Sequence, residues 1–275
     1  MTLPARSARS RFAELVERPE PELNLAEAAL LVAAEAYPQL TPEPYLQRLD
    51  ELAERVRDRT WDETAPIVML DDVARVLFQE ERFRGNQAQY YDPRNSFLND
   101  VLDRRLGIPL TLGMVYLEVG WRLGLPLHGV NFPGHFLVRF EGEAVKLLVD
   151  PFQSGLVRFE DEAQALLDQV YGGSVRLKPE YLRVADRHAI LVRLLSNLKG
   201  IYLNRRDEVK ALSAIERILL ITPDSTDEER DRGMVLTRLG RSADAVLALR
   251  RYLELAPDAP DRARVELLLE QLEAE

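Results

Sequence analysis

The sequence predicts an α+β N-terminal domain, built of helices and a small antiparallel sheet, followed by an all-α domain of repeats. Apolar residues recur with the helical period through the first third of the chain. A period of two replaces it between His135 and Asp150, which indicates paired strands. In the last third, Pro223 and Pro257 each precede an Asp and lie 34 residues apart, the period of a helical repeat.

The charge and composition of the 275 residues exclude several classes of function. The formal net charge is −10, and an acidic surface repels phosphate backbones and anionic headgroups, so we expect neither nucleic acid nor a membrane as partner. No cysteine occurs, which excludes disulfides, cysteine-ligated zinc and a cysteine nucleophile. The histidines His128, His135 and His188 lack metal-ligand spacing, so we expect no metal and no cofactor. No targeting segment is recognisable, which predicts a cytoplasmic protein.

Helix signals follow one another along the first part of the chain. The predicted helices are Leu25 to Ala36 behind the N-cap Asn24, a helix from Thr41-Pro42, Met69 to Glu81, and a helix that Asn95 caps and Gly107 ends. A strongly apolar helix then runs from Pro109 to Leu123 and is expected to be buried. We assign residues 1–90 to a helical lead-in and 91–186 to the core of a domain that covers 1–186.

The alternating segment predicts a hairpin from His135 to Asp150. With Gly142-Glu143 as a two-residue type II′ loop, Glu141 pairs with Ala144. The same register places His135 directly opposite Asp150 on one face, with Cβ atoms about 4.5–5.5 Å apart. The prediction depends on the position of the loop.

The 34-residue period predicts two tetratricopeptide repeats with a capping helix in residues 187–275. Corresponding positions match when they are counted back from the two prolines. The matched pairs are Ala211 with Ala245, Tyr202 with Leu236, Ile215 with Leu249 and Ile218 with Tyr252; the capping helix is Arg262 to Leu272. Helical repeats usually bind other proteins, so a protein or peptide partner is expected, whereas the oligomeric state is not predictable.

A histidine facing an aspartate, next to the first turn of a buried helix, is one half of a known catalytic arrangement. In papain-like and transglutaminase-like enzymes that turn supplies a cysteine, whose thiolate the helix dipole stabilises. The histidine accepts the proton of the thiol and the aspartate orients the imidazole. Here the turn offers Pro109-Leu110-Thr111 and the chain has no cysteine.

Several motifs together resemble one bacterial family. They are Tyr90 to Asn99, Gly107 to Leu112, Gly129 to Arg139, Val149 to Phe152, and Ser196 to Lys199 before Tyr202. The chain resembles the SirB-type proteins, which join a transglutaminase-like core to tetratricopeptide repeats. The resemblance implies a transglutaminase-like (papain-like) fold, with His135 and Asp150 at the family's histidine and aspartate positions. It also implies Thr111 at the position where active transglutaminases carry cysteine.

Each of these residues has a functional and a structural interpretation. His135 and Asp150 are either a general base with its orienting partner or a buried hydrogen-bonded pair. Thr111 is either a hydroxyl nucleophile or a helix-start hydroxyl. The polar and aromatic residues Asn86, Tyr90, Asn95 and Asn99 either form a binding rim or hold turns and caps.

Two functions follow from these alternatives. The first is a non-catalytic interaction or regulatory protein, built on a degenerate transglutaminase-like core, whose repeats bind a partner. The second is a hydrolase or acyltransferase that uses a hydroxyl or water with His135 and Asp150. The absence of cysteine favours the first.

Overall fold

The computed structural model describes residues 5–59, 65–143 and 145–274. The chain forms two compact units, Met1–Leu191 and Val192–Glu275. Each unit has its own buried apolar residues, and the division between them falls inside one helix, α8 (Arg187–Asn204). Within the described ranges, none of the helices combines the length and apolarity that a bilayer crossing requires.

Helices make up the first part of the first unit. Asn24 accepts a hydrogen bond from the Glu27 amide at 3.0 Å, as its predicted role as an N-cap requires. The predicted helix Met69 to Glu81 is α-helical only in part, since a π-type turn, Arg75–Glu80, follows Ala74. The helices before the sheet are α1 (Ala5–Val16), α2 (Leu25–Ala36), α3 (Glu43–Arg57), α4 (Pro66–Ala74), α5 (Leu98–Arg104) and α6 (Pro109–Arg122).

Helix α6 lies at the centre of this unit, and every residue from its start to Gly120 is buried. It packs against the sheet at a position where the helix carries no side chain. A Cβ atom at Gly113 would lie 2.3 Å from Cδ1 of Phe136, which directly precedes the strand that begins at Leu137, so this aromatic ring rests directly on the helix backbone. The expectation of a buried apolar helix is therefore confirmed.

A five-stranded sheet covers α6, with the strand order β6-β5-β4-β3-β7. All its neighbouring strands are antiparallel. Its strands are β3 (Leu127–Val130), β4 (Leu137–Glu141), β5 (Lys146–Asp150), β6 (Leu156–Arg158) and β7 (Val184–Ala185); helix α7 (Ala163–Tyr171) follows β6. Two short strands, β1 (Arg84–Gly85) and β2 (Leu106–Gly107), form a separate parallel pair.

The predicted register of the hairpin is wrong by two residues. Glu141 pairs with Lys146, and the Gly142 amide donates to the Val145 carbonyl at 3.1 Å, so the loop lies one position later than predicted. The predicted partner Ala144 lies outside the described residues. Packing explains the shift: a Cβ at Gly142 would lie 2.6 Å from the Phe140 ring, so this glycine flanks the loop, where the ring needs the space.

The second unit consists of paired helices that repeat as predicted. Helices α8 and α9 (Glu208–Ile221) form the first pair, α10 (Thr226–Arg238) and α11 (Ser242–Leu255) the second, and α12 (Arg262–Ala274) follows. The two turns within the pairs correspond: the Asp207 amide donates to the Tyr202 carbonyl, and the Arg241 amide to the Leu236 carbonyl. Both turns contain a left-handed residue, Arg206 with φ 56° in the first and Gly240 with φ 69° in the second.

Candidate functional site

His135 and Asp150 form a buried hydrogen-bonded pair. His135 lies two residues before β4, and Asp150 is the last residue of β5. The imidazole Nε2 and the carboxylate Oδ1 are 2.9 Å apart. The His135 side chain is 8% exposed and that of Asp150 is fully buried. The sequence prediction that these side chains lie close together is therefore matched, although they are not opposite each other in the ladder.

Asp150 also organises the backbone that follows it. Its Oδ1 accepts hydrogen bonds from the Phe152 amide at 3.0 Å and the Gln153 amide at 3.2 Å, which caps the turn Pro151–Gln153. The other oxygen, Oδ2, is buried and has no hydrogen-bond partner among the described residues. Asp150 thus holds the imidazole and the following turn through a single atom.

The imidazole has the orientation of a general base. Because Nε2 donates to Asp150, the neutral ring has its lone pair on Nδ1. No described residue hydrogen-bonds Nδ1 of His135. The ring of Phe152 meets the imidazole edge-on, with centroids 5.8 Å apart. An exposed nucleophile near Nδ1 is what this geometry would need for catalysis.

Thr111 does not offer such a nucleophile. It is fully buried in the first turn of α6. Its hydroxyl donates to the Asn95 carbonyl at 2.7 Å and accepts from the Ile108 amide at 3.1 Å. Both hydrogen bonds join it to the backbone, so the geometry favours the interpretation as a helix-start hydroxyl. Pro109 and Leu110, the other residues of this turn, carry no nucleophilic atom.

The asparagines predicted as a possible binding rim face inward. Asn95 is fully buried, and its amide nitrogen donates to the Gln89 carbonyl at 2.7 Å. Its side-chain oxygen accepts from Nδ2 of Asn86 at 3.0 Å, and Oδ1 of Asn86 accepts from the Gln89 amide at 3.1 Å. Asn99 is also buried, with an Oδ1 that has no described partner. This network favours the interpretation that Asn86 and Asn95 hold the loop 86–95 in place.

Tyr90 is the member of the predicted rim that reaches the surface. It is 37% exposed, and its ring lies 6.5 Å from that of Phe152 and 5.3 Å from that of Tyr91. Tyr91 is 72% exposed. The aromatic residues therefore run from His135 through Phe152 and Tyr90 out to Tyr91. Sequence reasoning assigned no role to Phe152, although it belongs to the quoted Asp-Pro-Phe motif.

Within the described residues, no group of three His, Asp or Glu side chains is arranged to hold a metal ion. The groups that the structure brings together at this site are an oriented imidazole, a buried carboxylate and aromatic side chains.

Comparison with known proteins identifies the family. A model of the transglutaminase-like superfamily matches residues 43–196, more than half of the chain. The chain belongs to the transglutaminase-like superfamily. A tetratricopeptide-repeat model matches residues 198–270. The predicted architecture, a transglutaminase-like core followed by tetratricopeptide repeats, is thereby confirmed.

Two curated relatives and one solved structure are similar to this transglutaminase-like chain. A "UPF0162 protein" of Xylella fastidiosa (strain 9a5c) is 38% identical over 238 residues, which covers 86% of this chain and 85% of that protein. "F-box only protein 21" of Mus musculus is 33% identical over 138 residues, 47% of this chain and 21% of that protein. A crystal structure of menin aligns with 92% of this chain and 70% of its own, with a TM-score of 0.42 and 11% identity. The narrower name SirB does not occur among these relatives and stays a resemblance.

Proposed function

We propose that this protein is a non-catalytic interaction or regulatory protein, in which a degenerate transglutaminase-like core is joined to repeats that bind a partner protein. The observation that carries the proposal is the first turn of α6. Its one hydroxyl, that of Thr111, is fully buried and bonded to the backbone, and no cysteine exists anywhere in the chain. Acyl transfer through a covalent intermediate needs an accessible, activated nucleophile at this place.

The burial of the His135–Asp150 pair supports the same conclusion. An imidazole whose side chain is 8% exposed gives a substrate little access. The hydrogen bonds that Asp150 accepts from the Phe152 and Gln153 amides give the pair a structural role that needs no substrate. In this proposal the pair holds the end of β5 and its following turn.

Exposed apolar side chains on the repeat unit support partner binding. Val209 is 68% exposed, Leu247 67% and Leu267 57%. Tetratricopeptide repeats generally mediate contacts between proteins, and these three side chains are apolar groups available for such a contact. The transglutaminase-like core adds Tyr91 as an exposed aromatic group.

A hydrolase remains the second candidate because Nδ1 of His135 has no described partner while Asp150 orients Nε2. Hydrolysis of p-nitrophenyl esters and transfer of acyl groups to a primary amine test it on the full chain. We expect no rate above buffer for the wild type or for His135→Ala. His128→Ala is the matched control, since His128 lies on β3 with a 42% exposed side chain. A rate that His135→Ala abolishes and His128→Ala retains, with both variants folded, would overturn the non-catalytic proposal.

The binding half of the proposal is tested by substitution of the exposed apolar side chains. The triple variant Val209→Ser, Leu247→Ser, Leu267→Ser of the full chain should lose the proteins that co-purify with the wild type from the source cells. A control variant changes the exposed charged residues Lys210, Arg250 and Glu270 to serine. Equal recovery of the same proteins by both variants contradicts a role for these apolar side chains.

A further inference from the structure

A cavity of about 500 Å³ lies in the first unit, on the strands β4 and β5 and the segment 177–183. Its walls carry four cationic side chains, one carboxylate and three apolar side chains. The lining residues are Arg139, Lys146, Lys178 and Arg183, then Glu160, and then Leu177, Pro179 and Leu182. A cavity of this size lies within the usual volume range of small-molecule sites, and its walls carry more charge than the mainly apolar walls of such sites.

The sign of the charge in this cavity is opposite to that of the protein. The chain has a net charge of −10 and only four lysines, yet two of these lysines and two arginines line the same cavity with a single glutamate. Two further carboxylates lie outside the lining and reach its lysines: Glu141 bonds Lys146, and Glu180 lies 3.9 Å from Lys178. They reduce the positive charge of the cavity without removing it.

Two arginines make the cavity suited to a multiply charged anion. Arg139 is held in place, because it bonds the Leu182 carbonyl and the Glu160 carboxylate and its side chain is 12% exposed. Its Nε is buried without a hydrogen-bond partner among the described residues. Arg183 is exposed, and its guanidinium has no partner within the part of the chain that the structure describes. The guanidinium fork bonds phosphate and carboxylate oxygens in pairs, so both arginines have unused capacity for such groups.

We propose that this cavity binds a small polyvalent oxyanion, a molecule with two or more phosphate or carboxylate groups and a short apolar part against Leu177 and Pro179. Arg139 is the fixed donor, because its contacts with Leu182 and Glu160 already restrict its rotamer. Arg183 and Lys178 close on the ligand from the segment 177–183. Glu160 competes with the ligand for Arg139 and therefore weakens binding. Neither His135 nor Asp150 lines this cavity.

Isothermal titration calorimetry of the full chain tests the proposal, with inorganic pyrophosphate and citrate as probes and sodium chloride of equal ionic strength as the blank. We expect one saturable site for at least one probe, and the stronger probe distinguishes a phosphate ligand from a carboxylate ligand. Arg183→Gln should weaken binding about fivefold, the effect of one charge at a partly screened distance. Glu160→Gln should tighten binding by a similar factor, which a damaged fold would not produce.

Arg176→Gln is the matched control, because Arg176 is an exposed arginine that directly precedes the segment 177–183 and does not line the cavity. Its affinity should equal that of the wild type. Absence of saturable binding for both probes, in the wild type and in Glu160→Gln, overturns the proposal. The proposal is also overturned if Arg176→Gln weakens binding as much as Arg183→Gln does. The probes would then respond to the charge of the surface in general and not to the cavity.

Discussion

The two units stabilise their buried polar side chains in different ways. In the first unit Asp150, Thr111 and Asn95 all bond backbone groups. In the second unit a partly buried cluster consists of opposite charges: Lys199 lies 2.6 Å from the buried Glu228 and 2.9 Å from Asp231. Backbone partners are supplied by the fold itself, whereas charged partners depend on protonation. The uncharged core groups Thr111 and Asn95 should therefore be insensitive to pH, whereas the charged cluster of the repeats should respond to it.

The pKa values in the repeat cluster show this dependence. Burial raises the pKa of the Glu228 carboxyl, and the hydrogen bond and charge of Lys199 offset this only in part. Burial also opposes the charge of Lys199, but hydrogen bonds to Glu228 and Asp231 dominate and raise the pKa of its ammonium. One cation thus faces two carboxylates, and Oε2 of Glu228 has no described hydrogen-bond partner. Loss of Lys199 would leave buried negative charge uncompensated.

Replacement of Asp150 by alanine tests the core side of the comparison and has the largest expected effect. The variant removes the acceptor shared by the His135 ring and the Phe152 and Gln153 amides. We expect the free energy of unfolding of the first unit to fall by about 4 kcal/mol, because one buried and two part-buried donors lose a charged acceptor. Urea unfolding followed by tryptophan fluorescence measures it.

Tryptophan fluorescence is specific for this unit, because Trp61 and Trp121, the two tryptophans of the chain, both precede Val192. Asp168→Ala is the control, at an exposed position of α7. An unfolding midpoint for Asp150→Ala as high as that of Asp168→Ala would show that the buried carboxylate contributes nothing.

Replacement of Lys199 by methionine tests the repeat side. We expect a loss of about 3 kcal/mol near pH 7, because the buried Glu228 and the half-buried Asp231 lose their cation. Since the pKa of Glu228 is already raised and would rise further, the loss is largest above that raised pKa. It shrinks as the pH falls towards the ordinary range of a carboxyl, where protonation neutralises the buried group. Urea unfolding followed by circular dichroism, at pH 7 and at an acidic pH within the ordinary titration range of a carboxyl, measures the change.

Lys210→Met is the matched control for Lys199→Met, since the Lys210 side chain is 57% exposed. If Lys199→Met lost the same free energy of unfolding at neutral and at acidic pH, the proposed difference between the two units would be contradicted.

Replacement of Asn95 by alanine tests the first unit at a buried side chain that carries no charge. The side chain bonds the carbonyls of Gln89 and Tyr90 and the amide group of Asn86. We expect a loss of about 2 kcal/mol that does not vary between neutral and mildly acidic pH, because no charge is buried or removed. Urea unfolding by tryptophan fluorescence at two pH values checks it, and a pH-dependent loss would contradict the backbone-partner interpretation.

The smallest expected effect concerns backbone conformation in the repeat unit. Arg206 has a left-handed conformation where the next repeat has Gly240. Arg206→Gly should raise the free energy of unfolding of the repeats by about 1 kcal/mol, because glycine adopts this conformation without steric cost. Arg206→Ala separates the backbone from the side chain, since it removes the guanidinium and keeps the strain. Equal stability of the two variants in urea would show that the turn is not strained.

How much the sequence predicts depends on the range of the interactions. The repeats were predictable because the 34-residue period is local and recurs in the chain, as the pair Ala211 and Ala245 shows: both are fully buried. The contact between His135 and Asp150 was predictable despite a wrong register, because a shift of two residues keeps side chains on the same face. The position of the hairpin loop was not, because it depends on how the Phe140 ring packs on Gly142.

The candidate site was less predictable than the fold. The sequence identifies Thr111 and Asn95 as polar, but it does not reveal that Thr111 bonds the Asn95 carbonyl or that Asn95 bonds the Gln89 carbonyl. At Thr111 only burial distinguishes an accessible nucleophile from a helix-start hydroxyl, and burial depends on how the whole unit packs. The role of Phe152 as the aromatic neighbour of His135 likewise depends on the turn that Asp150 caps.

The asparagine network has a consequence for the kinetics of recognition. Asn86 and Asn95 fix the loop 86–95 by hydrogen bonds to its own backbone, and this loop presents Tyr91 to solvent. A loop that is already ordered loses little conformational entropy on association. A protein that docks on Tyr91 would therefore meet a surface preorganised in its bound shape, and its association rate would depend on diffusion and orientation rather than on loop rearrangement.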